Sequence, residues 1–354
     1  MKKAMKLVSL VLAVVMLLGC LTACGSKSAT TDATASTDTA SNDTAAASDG
    51  GEIVIALISN TTGDYAQYGQ PVRDGAMLYI NQLNANGGIN GKQVKVLEYD
   101  DKGDGVEAVN AYNLACDNGI TAVFGATLTG TTIALADATY EDNMPQVTAS
   151  ATATGVTVID PADPESEIRP NVFRACFIDP YQGAAAATYA YKNLGYKKAA
   201  VLTDVANDYA VGLSNFFKKS YKKLGGELVA DMKYSSGDQD FTAQLTELIS
   251  KKPDIVFMPA YFAEGAIIMK QARELGATFV LMGGDAMDNP DTVKIAGKAA
   301  EGFMQTAFPY DMTMKDMNDQ AKAFTEAWKK NVPNKDPNVN ATLGYTLSLI
   351  HISE

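Results

Sequence analysis

The sequence contains a single histidine in 354 residues, His351, close to its C-terminal end. Ser-His-Asp and Cys-His nucleophilic centres need an imidazole base, so the composition argues against both. Histidine-rich metal sites are excluded on the same ground, and we expect no bound metal. The dinucleotide-binding signature G-x-G-x-x-G is also absent. We therefore expect no cofactor and a protein that is not an enzyme.

Cysteine is scarce, with four residues in the whole chain. Two of them, Cys20 and Cys24, lie near the N-terminus, and the other two have no metal-like spacing. A disulfide between Cys116 and Cys176 is possible in an exported protein. Two separate buried thiols are the alternative, and the sequence leaves the choice open.

Positive charge is in short supply, because 29 lysines and arginines face 41 aspartates and glutamates. The formal net charge of −12 repels phosphate backbones, so nucleic-acid binding is not expected. No apolar stretch reaches the roughly 20 residues that a transmembrane helix needs. Any attachment to a membrane must therefore use something other than a spanning helix.

The N-terminus has the organisation of an export signal. Three lysines in the first six residues precede an apolar run at residues 7–18, which small residues follow. The sequence LTAC at residues 21–24 resembles the lipobox of bacterial lipoproteins. That resemblance implies removal of residues 1–23, lipidation of Cys24 and a location outside the cytoplasm, anchored to the bacterial cell membrane. Cys20 is a weaker candidate anchor, and a plain secreted signal is the alternative.

Residues 24–51 contain no large apolar residue and consist mainly of serine, threonine, alanine, aspartate and glycine. Such a segment cannot bury a core, and we expect a disordered spacer between the membrane and the folded domain.

From Glu52 onward, apolar runs of strand length alternate with helical patterns of 10–15 residues. This alternation predicts parallel βαβ units, with helices at residues 71–83 and 105–117 among them. A body of roughly 300 residues usually divides into two cores, and a stretch rich in proline and acidic residues at 161–170 marks the break. We therefore predict an α/β fold of two doubly wound parallel-sheet lobes, residues 52–172 and 173–302.

Two loops that follow predicted strands of the first lobe are rich in hydroxyl groups. They are GATLTGTT at residues 125–132 and TASAT at residues 148–152. Hydroxyls and free N–H groups at a helix start favour a carboxylate. The corresponding loops of the second lobe offer Tyr209, Tyr261 and Asp285, and none of the four arginines lies in these loops. An anion site on one lobe that faces an acid on the other would bind a zwitterion. Taken separately, however, a hydroxyl-rich loop is also typical of an ordinary helix cap, and each tyrosine is also typical of a packed core residue.

Several motifs together resemble one family. They are AQYG at 66–69, NANGGING at 84–91, YDD at 99–101, FR at 173–174, DPYQG at 179–183 and KQAR at 270–273. The chain is similar to the leucine/isoleucine/valine-binding proteins, the solute-binding components of ABC transporters. The resemblance implies the type I periplasmic-binding fold, with hinge crossovers near residues 172–175 and 303–308.

The resemblance also assigns roles to four polar residues. Thr129 matches the hydroxyl that binds the ligand carboxylate. Ser150 and Thr152 match residues that contact both ends of the amino-acid group. Asp285 stands where the family often has an acid that pairs with the α-ammonium group. It is shorter than the usual glutamate, which affects the size and pose of the ligand.

The other implied ligand contacts are three aromatic residues and two residues of the first hydroxyl-rich loop. Tyr68, Tyr209 and Tyr261 match aromatic positions around the ligand. Thr127 and Leu128 would face its side chain.

The implied function is capture of an amino acid, branched-chain or otherwise small and apolar, for delivery to a membrane permease by a monomer. The alternatives are a ligand-sensing extracellular domain and a binding protein for an amide or an aromatic carboxylate. Residues 303–354 would return to the first lobe. Because family members continue beyond residue 345, we expect a truncated C-terminus in which residues 347–354 are not native.

Overall fold

The computed structural model describes residues 51–163 and 165–350, without side-chain detail for residues 347–350. The predicted signal, the lipidation site Cys24 and almost all of the predicted spacer lie outside the described residues, as do residues 351–354. Within the described residues, no helix has both the length and the apolar character needed to cross a membrane.

The first lobe contains a parallel sheet of five strands in the order β2-β1-β3-β4-β5. The strands are β1 (Ile53–Ser59), β2 (Val94–Asp100), β3 (Ala122–Phe124), β4 (Gln146–Thr148) and β5 (Val172–Arg174). The helices between them are α1 (Ala66–Ala85), α2 (Gly105–Asp117) and α3 (Thr129–Glu141). This strand order reverses direction between β1 and β3, the point at which open α/β sheets bind ligands.

Strand β1 shows why the chain forms a buried parallel sheet. Ile55 and Leu57 pack on the sheet face that α1 covers, and Ala56 and Ile58 pack on the face that α2 covers. Because helices cover both faces, the strand is apolar at every central position instead of alternating.

The second lobe repeats this architecture with the strand order β10-β9-β8-β6-β7. Its strands are β6 (Lys198–Asp204), β7 (Glu227–Tyr234), β8 (Ile255–Phe257), β9 (Val280–Gly283) and β10 (Met304–Gln305). Its helices are α4 (Asp179–Thr188), α5 (Asp208–Lys223), α6 (Thr242–Lys251), α7 (Phe262–Glu274) and α8 (Pro290–Ala296). The predicted α/β architecture of two parallel-sheet lobes is confirmed.

After β10 the chain returns to the first lobe as α9 (Asp319–Asn331) and α10 (Val339–Ile350). Helix α10 packs against α1 at very short range. A β-carbon on Gly75 would lie 2.0 Å from the carbonyl oxygen of Ala341, and one on Gly344 would lie 2.0 Å from that of Val72. Glycine at both positions therefore lets the two helix backbones touch.

Two segments that connect the lobes meet through aromatic rings. The rings of Phe177 and Phe308 stack with centroids 4.0 Å apart and planes inclined by 16°. Phe177 follows β5 of the first sheet, and Phe308 follows β10 of the second. The two crossovers are thus in direct contact between the lobes. Cys176, beside this stack, and Cys116 are both free thiols.

Candidate functional site

A cavity lies between the lobes, beyond the carboxyl ends of the strands. It holds about 430 Å³ of space that no protein atom fills, counted with the solvent at its opening. The lining residues come from both lobes and from the returning C-terminal segment: Tyr68, Thr127, Leu128, Thr129, Ser150, Thr152, Tyr209, Tyr261, Asp285, Ala286, Phe308, Val339 and Asn340.

All nine residues that the sequence proposed for the site line this cavity. The sequence missed four others: Ala286, Phe308, Val339 and Asn340. Ala286 is adjacent to Asp285, and Phe308 lies in a predicted hinge, so a signal existed for both. Nothing local marks Val339 or Asn340, because only the packing of α10 brings them to the cavity.

The wall from the first lobe presents hydroxyl groups and a helix start. Thr129 is the first residue of α3, and the preceding Leu128 offers no side-chain cap to the free N–H groups of that helix. Thr127 Oγ1 lies 2.8 Å from Ser59 Oγ, and Ser150 Oγ donates to the carbonyl oxygen of Thr127 at 2.8 Å. Thr152 is buried on this wall, and its side chain acts on the carboxyl of Asp179, whose pKa it lowers. This wall can donate hydrogen bonds to an anion.

The wall from the second lobe presents the carboxylate of Asp285. Its Oδ1 accepts hydrogen bonds from Gln182 Nε2 at 2.8 Å and from the Tyr209 hydroxyl at 3.0 Å. Gln182 Oε1 in turn accepts from the backbone N–H of Asp285 at 2.9 Å and from the hydroxyl of Thr306. Elements from three parts of the lobe thus hold the acid in one orientation. Gln182 lies within the DPYQG motif, but no role for it was predicted from the motif.

Burial changes the acidity of this carboxyl and of a neighbour. Removal from water raises the pKa of Asp285 to about 6, although the bonds from Gln182 and Tyr209 act in the opposite direction. Asp179 is completely buried, and burial raises its pKa to about 7, with the negative charge of Asp285 adding to the effect. Two interior acids close together make this wall attractive to a cation.

Aromatic residues close the cavity and connect the lobes. The Tyr68 hydroxyl donates to the carbonyl oxygen of Ala286 at 2.7 Å and accepts from the backbone N–H of Phe262 at 2.9 Å. The rings of Tyr209 and Tyr261 are parallel, with centroids 5.9 Å apart, and the ring of Tyr68 lies 5.5 Å from that of Tyr261. The lobes are therefore in contact, and Tyr68 links them through two hydrogen bonds.

The raised pKa values predict that the unliganded protein gains stability as pH falls from about 7.5 to about 5. In the folded protein the pKa values of Asp285 and Asp179 lie above the ordinary value of 3.8, so both carboxyls bind protons at a higher pH than in the unfolded chain. Their contribution to the free energy of unfolding is complete below about pH 3.8. It is lost as pH rises through about 6 for Asp285 and about 7 for Asp179. Urea unfolding across this range measures it, and Asp285→Asn should reduce the pH dependence by about 1–2 kcal/mol. Identical pH dependence in the two proteins would contradict the prediction.

Known proteins share both the sequence and the architecture. Residues 52–350 match the family described as Periplasmic binding protein. The Leu/Ile/Val-binding protein BraC3 of Rhizobium johnstonii is 32% identical over 290 residues, which are 82% of this chain and 76% of that protein.

Two solved structures have the same fold. The crystal structure of the leucine binding protein LivK from Thermotoga maritima has 36% identity and a TM-score of 0.75. The branched-chain amino acid transporter substrate binding protein LivJ from Streptococcus pneumoniae, solved in complex with isoleucine, has 32% identity and a TM-score of 0.73. Each match covers 84% of this chain and 81% of the other. The family match over most of the chain and these identities confirm the resemblance seen in the motifs, and the chain belongs to the periplasmic binding protein family.

Proposed function

We propose that this chain is the extracytoplasmic solute-binding component of an ABC transporter and that it captures an amino acid with a small or branched apolar side chain. The observation that carries the proposal is the pair of opposed walls in one cavity. Hydroxyls and the start of α3 face a carboxylate, so a ligand with an anionic end and a cationic end fits both.

In this proposal the α-carboxylate of the ligand binds at Thr129, with Ser150 and Thr152 beside it. Free N–H groups at the start of α3 and the dipole of that helix stabilise the negative charge. The α-ammonium group pairs with Asp285, whose second oxygen is left for it because Gln182 and Tyr209 both bind Oδ1.

The ligand side chain lies among the aromatic and aliphatic residues of the cavity. Tyr68, Leu128 and Phe308 contribute to this apolar surface. Burial of one leucine-sized side chain stabilises a complex by about 1.5–3 kcal/mol, which favours branched-chain amino acids over glycine.

Binding is coupled to closure of the lobes. The carboxylate site belongs to the first lobe and the ammonium site to the second, so one ligand contacts both only when the lobes are close. A ligand with contacts in both lobes shifts the population toward the closed state. The bonds from Tyr68 to the second lobe add to the stability of that state.

The relatives named above support the transport role. BraC3 is a Leu/Ile/Val-binding protein, and LivJ is the substrate-binding protein of a branched-chain amino acid transporter. We therefore propose an ABC permease as the partner and delivery of the ligand by the closed protein. The LTAC sequence supports lipidation of Cys24 and anchoring at the outer side of the cell membrane. In this proposal the protein binds and releases the ligand without making or breaking a covalent bond of the ligand.

An aromatic carboxylate is a less favourable ligand for this cavity. Such a molecule has no cation to pair with Asp285, so its binding would either leave that buried charge unpaired or require protonation of the carboxyl. An unpaired buried charge is strongly unfavourable, and the elevated pKa of Asp285 already reflects that cost. The same reasoning applies to a simple amide.

Thermal unfolding in the presence of each of the twenty amino acids, with benzoate and benzamide as comparisons, tests the proposal. A ligand at 100 times its dissociation constant adds about 2.7 kcal/mol, a rise in Tm of about 5 °C for a protein of this size. We expect the rise for leucine, isoleucine, valine or another small amino acid and none for benzoate. A rise for benzoate with none for any amino acid would overturn the assignment.

A further inference from the structure

Asn340 is a polar side chain with an unusual position in the cavity. It is the second residue of α10 and is 7% exposed, and it lines the cavity between the lobes. The structure gives its amide no hydrogen-bond partner in residues 51–350, and neither amide atom is completely enclosed. The amide therefore keeps some accessible surface at a position that lines the cavity.

The position of Asn340 is fixed by the packing of its helix. Gly75 of α1 lies directly against the carbonyl of Ala341, the next residue. Asn338 accepts the backbone N–H of Ala341 with its side-chain oxygen at 3.1 Å. The backbone of Asn340 thus belongs to a helix start that is packed closely against α1.

The neighbours of Asn340 in the cavity define which part of a ligand it meets. Asn340 and the adjacent Val339 line the cavity as part of the returning segment, which also contributes Phe308. The carboxylate and ammonium sites belong to the loops after β3, β4 and β9. The returning segment contributes to neither of these sites, so we assign it to the part of the cavity that holds the side chain of the ligand.

A buried amide that both donates and accepts loses free energy when it has no partner. A ligand side chain with a hydroxyl or amide group would provide that partner, whereas a purely aliphatic one would not. Resting on the amino-acid function proposed above, we propose that Asn340 is a specificity-determining residue that hydrogen-bonds a polar group in the side chain of the bound amino acid. The ratio of the threonine affinity to the valine affinity is therefore higher than it would be in the same site without the amide.

Threonine and valine have the same shape and differ by a hydroxyl in place of a methyl group, so their affinity ratio isolates this contact. Titration calorimetry measures both dissociation constants for the wild type, for Asn340→Leu and for the smaller Asn340→Ala, which avoids crowding if leucine does not fit. We expect either substitution to lower the preference for threonine relative to valine by about tenfold. Alanine, whose side chain is too short to reach the amide, serves as the internal control and should bind all three proteins within about twofold.

The outcomes separate this inference from the proposed function. An unchanged ratio of threonine to valine in a variant that still binds amino acids overturns the role of Asn340 and leaves amino-acid capture intact. Absence of binding of any amino acid by the wild type overturns both. An equal loss of affinity for alanine, valine and threonine would show a purely structural residue and also overturns the inference.

Discussion

Asp285→Asn is expected to weaken amino-acid binding by about 30-fold or more, because it removes the charge that faces the ligand ammonium group. Removing one partner of a buried, hydrogen-bonded charge pair costs about 2–5 kcal/mol. The substituted side chain keeps an oxygen that can accept the bonds from Gln182 and Tyr209, so the fold should be retained. Titration calorimetry with the amino acid that raises Tm most gives the measurement.

A matched control makes this result specific. Asp288→Asn makes the same change of charge three residues away, and Asp288 lines a neighbouring cavity instead of this one. We expect it to bind the ligand within about threefold of the wild type. If Asp285→Asn binds as tightly as the control, Asp285 does not pair with the ammonium group.

Gly75→Ala should lower the free energy of unfolding by about 2–3 kcal/mol, since the new methyl group would meet backbone instead of a flexible side chain. Its β-carbon would lie 2.0 Å from the carbonyl oxygen of Ala341 and 2.9 Å from the backbone nitrogen of Tyr345. Helices α1 and α10 would have to separate, with the cost typical of overpacked interiors. Urea unfolding of the unliganded protein measures the loss.

Gly212→Ala is the corresponding control. Gly212 also lies inside a helix, α5, but a β-carbon there would have its nearest contact at 3.5 Å. Alanine has the higher helix propensity, so this variant should be unchanged or more stable by up to about 1 kcal/mol. Equal destabilisation by the two substitutions would mean that the contact between α1 and α10 is not tight.

Much of the architecture follows from local pattern. Short apolar strands that are separated by helices are typical of parallel sheets covered on both faces, and β1 is an example. The predicted helix at residues 105–117 has the bounds of α2, whose start is capped by Asp104. Boundaries elsewhere shifted by a few residues, because helix α1 begins at Ala66 although the apolar pattern predicts a start at residue 71.

The candidate site was predictable where it follows strand ends. Thr129 and Ser150 follow adjacent parallel strands, so their order in the chain already places them at one edge of one sheet. Asp285 and Tyr261 follow strands of the other sheet for the same reason. These four residues line one cavity only because the two sheet edges also face each other.

The sequence by itself determined the two α/β lobes, the hydroxyl-rich edge and the opposing acid, because each depends on residues close together in the chain. Only the tertiary structure decided three features: the hydrogen bonds between Gln182 and Asp285, the hydrogen bonds of Tyr68 to the second lobe, and the position of Asn340 at the cavity. Each of these joins segments far apart in sequence, and their positions depend on how closely backbones approach. The two glycines between α1 and α10 set that approach, and through it they determine which side chains of α10 line the cavity.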